Sequence, residues 1–129
     1  MDARSRLAFL ILVLAQAAHS VEEYVFRLYD VFEPARLVSS LFSDDVRTGF
    51  AIANTGIVAF GVWCYIARVR TGHPSARVLA WLWVIVEAAN GTGHILIATA
   101  RGQYFPGVYT APALLVVSVM LGIRLSRPS

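Results

Sequence analysis

Apolar residues in this chain run in long blocks, and arginines close most of them. Positions 48–67 form one block, ended by Arg68 and Arg70. Positions 78–100 form another, between Arg77 and Arg101, and 108–123 a third, before Arg124 and Arg127. A helix needs about 20 such residues to cross a hydrocarbon layer, so each block predicts a transmembrane helix. The segment Thr71-Gly72-His73-Pro74-Ser75 separates the first two. An earlier run, Leu7 to Ala18, is shorter and continues into His19-Ser20-Val21-Glu22-Glu23-Tyr24. Read as one helix over about 7–29, it crosses only if His19, Glu22 and Glu23 face protein rather than lipid. A second reading stays open: Arg4 and Arg6, a short apolar run and Ala15-Gln16-Ala17 also match a cleaved secretory signal.

The arginines then set direction. The amino end, the 68–77 connection and the carboxyl end are basic, whereas the connection after the first span carries Asp30, Glu33, Asp44 and Asp45 against Arg36 and Arg47. By the positive-inside rule, both termini lie in the cytoplasm. Within the outer connection, Pro34 to Phe42 has apolar residues at helical spacing and predicts a short interfacial helix. The expected fold is all-α: one integral-membrane domain over 1–129, a four-helix up-down bundle with that small helix between spans one and two.

Composition sharpens this picture. Charged residues make up 15% of the chain, against about a quarter in a soluble domain. The net charge of +3 does not indicate nucleic acid, because the arginines sit at block ends rather than along one stripe. Cys64 is the single cysteine, which excludes an intrachain disulfide and a cysteine-based metal site. Trp63, Tyr65, Trp81, Trp83, Tyr104 and Tyr109 lie mostly near span ends and read as an aromatic belt.

Ionisable residues inside spans cost about 2.5–3.5 kcal/mol each at the bilayer centre and by default mark function. His19, Glu22 and Glu23 share one face of the first helix, and Glu87, Asn90 and His94 one face of the third. With about 1.5 Å of rise per residue, His19 lies roughly 18 Å from the cytoplasmic edge and Glu22 and Glu23 roughly 23 Å. Glu87, Asn90 and His94 lie roughly 14, 18 and 24 Å deep, and Asn54 of the second helix roughly 21 Å. Three helices thus bring polar groups to one level. Interhelical hydrogen bonding, at about 0.6 kcal/mol per bond, is the plain structural alternative. It accounts poorly for three carboxyls and two imidazoles together. Gly91 and Gly93 flank the stripe, allowing a neighbouring helix or a substrate close approach. Tyr104 or Tyr109 is placed to cap such a cavity.

His19-Ser20-Val21-Glu22-Glu23 resembles the motif of the HXXEE family, small bacterial membrane proteins of unknown function. The later Asn90, His94 and Tyr104-Phe105-Pro106-Gly107 are similar to that family as well, so the resemblance covers nearly the whole chain. It implies that the first apolar run is retained and that the protein lies in a bacterial inner membrane, and it supplies no reaction.

The residues themselves suggest three classes of function. The first is an enzyme on a lipid-like or isoprenoid substrate, similar in kind to sterol isomerases of the emopamil-binding type. There, Glu87 is the expected general acid and His19 or His94 the base, with Glu22 and Glu23 in the same chemistry. Asn54, Asn90, Tyr104 and Tyr109 would hold substrate. A metal-dependent version has His19, Glu22, Glu23, Glu87 and His94 as candidate ligands for a divalent ion. The His-x-x-Glu order reverses the Glu-x-x-His of dimetal bundles. The second class is a small proton- or cation-coupled transporter, which would need a homo-oligomer. Against it, Leu7 to Ala15 and Val78 to Val86 offer no titratable group, and Thr55, Cys64 and Ser118 are too sparse for a proton path. The third is a non-catalytic membrane subunit. The topology is tested by reporter fusions at residue 129 and within 71–75. Both should read cytoplasmic, and an external reading at either would contradict it.

Overall fold

The computed structural model describes residues 1–127; the last two positions of the predicted domain lie outside them. Among the described residues there are six α-helices, a π-helical turn and no strand. The helices are α1 (Ala3–Val25), α2 (Leu28–Val31), α3 (Glu33–Ser40), α4 (Val46–Cys64), α5 (Ala76–Arg101) and α6 (Ala111–Ser126), and the π-helical turn Tyr65–Val69 prolongs α4.

Local chemistry sets the ends. Asp2 caps α1, its Oδ1 accepting from the Ser5 N–H at 2.7 Å, so the helix begins earlier than the apolar run. It also ends earlier than the expected position 29. Arg27 turns left-handed at φ 60°, pairs with Asp30 and starts the separate α2. Asp45 caps α4 by accepting from the Thr48 N–H at 3.0 Å. Gly102, at φ 61°, stops α5 in the left-handed conformation that helix ends favour. The last helix starts at Ala111 rather than near 108, because the preceding residues are used in a turn around Glu22.

Three helices are long and apolar enough to cross a membrane: α1, α4 with its π-helical turn, and α5. Helix α6 is apolar but has 16 residues, about 24 Å of rise. Leu7, Leu14, Val78, Ile85 and Val116 point outward, so apolar surface faces away from the protein on several helices. The expected interfacial helix corresponds to α3, which leaves Leu37 and Val38 exposed and packs against α4.

Two sets of contacts define the ends of the molecule. At one, Arg6 donates to the Arg70 carbonyl and Arg77 to that of Leu125. At the other, Arg47 donates to the Tyr24 hydroxyl, Arg101 to the Val31 carbonyl, and Phe32 meets Phe105 edge-on. Helix α1 packs on α4 and α6, and α6 packs on α5. Gly91 permits the last contact, since a Cβ there would stand 2.7 Å from the Ala111 carbonyl oxygen. The arginine-rich half holds the larger apolar core, including Phe9, Leu12, Trp83, Leu114 and Leu121. Trp83 therefore departs from the aromatic-belt reading: it is buried against Phe9, in a space opened by Gly61. Helix α5 meets α4 through the π-helical turn and the stack of Phe60 on Trp83, leaving a lateral cleft above that stack.

Candidate functional site

The site begins with Glu22, near the carboxyl end of α1. Its Oε1 accepts from the Thr110 N–H at 2.8 Å and the Thr110 hydroxyl at 2.7 Å. Its Oε2 accepts from the Tyr104 hydroxyl at 2.7 Å, the Gly107 N–H at 2.8 Å and the Tyr109 N–H at 3.2 Å. Five donors from one segment converge on one carboxylate, matching its acceptor-only inventory. Desolvation, with the Glu22 carboxylate it donates to, pushes the Tyr104 phenol up from its ordinary value, so it stays a donor.

One residue on, Glu23 turns to two imidazoles. Its Oε1 lies 3.2 Å from His19 Nε2 and 3.1 Å from His94 Nε2. The two rings meet edge to face with centroids 4.6 Å apart. His19 is fully buried, and Glu23 and His94 are nearly so. The other nitrogen of His19, Nδ1, lies 2.7 Å from the Thr110 hydroxyl oxygen. Since that hydroxyl has one proton and the Glu22 carboxylate takes it, the Thr110 oxygen is left to accept. His19 must then donate from Nδ1, which leaves the Nε2 position facing Glu23. Gly107 presses its backbone onto both rings. A Cβ there would stand 2.6 Å from His94 and 2.7 Å from His19, and its φ of 100° also favours glycine. Phe105 covers His94 with ring centroids 5.3 Å apart.

Beside this centre lies a second polar group. Asn90 Nδ2 donates to Glu87 Oε2 at 3.3 Å and lies 3.5 Å from Gln16 Oε1, while Gln16 Nε2 donates to Ser20. Glu87 is buried, yet Gln16, Glu87 and Asn90 all line the lateral cleft between α4 and α5. The cleft holds about 540 Å³, and its other walls are largely apolar, among them Ile52, Ile57, Phe60, Leu82 and Val86.

A family model described as proteins of unknown function with an HXXEE motif matches residues 10–121. The chain belongs to that family. No curated protein and no solved structure matches it. The geometry gives each letter of the motif separate work: His19 joins the imidazole pair, Glu22 binds the 104–110 segment, and Glu23 bridges His19 and His94.

The structure sorts the expected site residues. His19, Glu23 and His94 come together, and among the described residues theirs is the group of His, Cys, Asp and Glu placed to hold a metal ion. Glu22 and Glu87, also expected as metal ligands, stand outside that group, Glu22 because its oxygens are occupied by Tyr104, Gly107, Tyr109 and Thr110. Tyr104 is in the site, but Tyr109 contributes its backbone while its side chain is 75% exposed. Asn54 does not reach the cluster. Its Nδ2 donates to the Phe50 carbonyl, and it lines a separate groove between α1 and α4 with Ala17, Val21 and Thr55. Depth along a helix fixes height, whereas the face it turns to depends on packing, and α4 presents Asn54 to that other groove.

Sequence reasoning missed Thr110, Gln16 and the backbone at Gly107. Gln16 was findable, lying three residues before His19 on the same face. Thr110 had no such signal, because its role depends on where the turn after Gly107 folds. The five contacts of Glu22 imply unequal costs for two similar changes. A buried donor left unpaired costs about 1–3 kcal/mol. Glu22→Gln, which replaces an acceptor oxygen with a competing NH₂, should therefore lower the melting temperature in detergent well below that of Glu87→Gln, whose carboxyl accepts from Asn90. Equal melting of the two variants would show that the Glu22 contacts do not hold the segment.

Proposed function

We propose that the chain is an integral-membrane enzyme that transfers protons on a lipid-like or isoprenoid substrate, with four helices crossing the bilayer and both termini cytoplasmic. The observation that carries this reading is the lateral cleft: apolar walls leading to Gln16, Glu87 and Asn90, with the buried His19–Glu23–His94 centre behind them, outside the cleft's own lining. Largely apolar pockets with a few convergent polar groups suit a small apolar ligand. An acyl or prenyl chain would lie along Ile52, Ile57 and Val86, entering sideways from the bilayer, with its polar or unsaturated end at Asn90.

In such a complex Glu87 gives a proton to one atom of the substrate, and the neighbouring centre takes one from another. The two transfers balance, so an isomerisation needs no redox partner. Transport fits less well. The arginine-side core below Gln16 is built mainly from Phe9, Leu12, Val13, Leu114 and Leu121, and its buried Cys64, Ser118 and Ser5 are too sparse to form a proton path.

The test compares membrane lipids from cells expressing the full chain, the Glu87→Gln variant or neither, by chromatography and mass spectrometry. An apolar species should change with the wild-type chain and revert with Glu87→Gln. Identical profiles in all three would overturn the enzyme reading. Proton flux in liposomes under a pH gradient, abolished by Glu87→Gln, would replace it with transport.

A further inference from the structure

We infer that His19, Glu23 and His94 bind one divalent first-row transition-metal ion, with Nε2 of each imidazole and a Glu23 oxygen as ligands. Donors about 2.0–2.1 Å from a tetrahedral zinc stand roughly 3.3 Å from one another. The two nitrogen-to-oxygen separations, 3.2 and 3.1 Å, are close to that edge. Two imidazoles and one carboxylate are also a donor set of catalytic zinc and of non-haem iron sites, and both leave positions open for substrate or water.

A second observation is independent of this spacing. His19 Nε2 is buried with no hydrogen-bond partner, although Glu23 Oε1 stands 3.2 Å away. Buried ring nitrogens without partners are uncommon. The Thr110 contact explains what this atom offers. A neutral ring that donates from Nδ1 carries a lone pair at Nε2, the form that ligates metal. Metal-bound histidines characteristically donate their other N–H to an oxygen acceptor that is itself held. For His19 that acceptor is the Thr110 hydroxyl, held in turn by Glu22, whereas Nδ1 of His94 is buried with no such partner. Without a metal, two imidazoles would have to share one oxygen of Glu23, with His19 doubly protonated to donate at all.

The proposal deepens the enzyme reading by supplying a Lewis acid beside Glu87. With both Nε2 atoms and Glu23 engaged, the proton leaving the substrate would pass to a water in the centre's open position rather than to an imidazole. The proposal rests on that reading only for what the ion would do. Binding is tested without any substrate. The full chain is purified in detergent with a tag lacking histidine, and its metals are measured by mass spectrometry. About one zinc or iron per chain is expected, retained in Glu87→Gln and lost in His94→Ala and Glu23→Gln. Because those variants can misfold, wild-type protein is also stripped with chelator and titrated with Co²⁺. Visible d–d bands saturating near one equivalent are expected. Absent bands, or equal metal content in wild type and His94→Ala, would overturn the proposal. If metal binds but no lipid changes, the enzyme reading fails alone.

Discussion

Five hydrogen bonds to Glu22 join the end of α1 to the segment that opens α6, and the site is assembled around that joint. A carboxylate buried without partners would be prohibitive in an apolar protein. Satisfied by two hydroxyls and three backbone N–H groups, it becomes a fixed reference point. It places Gly107 against both imidazoles and aims the Thr110 hydroxyl at His19. Glu23, on the next position of the helix, is turned by the helical step toward His94 instead. The adjacent glutamates of the motif thus do different work: one closes the segment, and the other bridges the histidines.

The division of the molecule into two halves follows from the same residues. Toward the arginine-rich end, Phe9, Leu12, Trp83 and Leu121 pack as an apolar core. Toward the other end, the interior is polar where Glu22, Glu23 and His19 lie, and it is covered by Phe32, Phe105 and the short helices α2 and α3. The cleft between α4 and α5 sits at this boundary, with apolar walls and Gln16, Glu87 and Asn90 along it. Its position follows from packing order: α1 and α6 hold α4 and α5 apart above the Phe60–Trp83 stack.

Much of the helical layout was legible in the chain. The apolar blocks before Arg68 and Arg101 locate α4 and α5, because lipid-scale hydrophobicity is a long, additive signal. The end of α1 was not legible, since it depends on one left-handed residue, Arg27, that no periodicity announces. In the site, helical spacing alone put His19 with Glu23, and Glu87 with Asn90. What spacing did not reveal was rotation about each helix axis. Asn54 turns to the groove between α1 and α4, and Thr110, in a turn, had no period to read. Tyr104 and Gly107 were visible as a motif, but their purpose appears only once Glu22 is seen between them.

Both the joint at Glu22 and the metal centre require His19 to keep its proton on Nδ1, toward Thr110, with a lone pair on Nε2 toward Glu23. Nitrogen-15 NMR of histidine-labelled protein reads this directly, with the His19 signals assigned by comparison with His73→Ala and His94→Ala. A protonated Nδ1 and an unprotonated Nε2 are expected at His19, with loss of that preference in Thr110→Val. A His19 ring protonated at Nε2, or one unaffected by Thr110→Val, would contradict it.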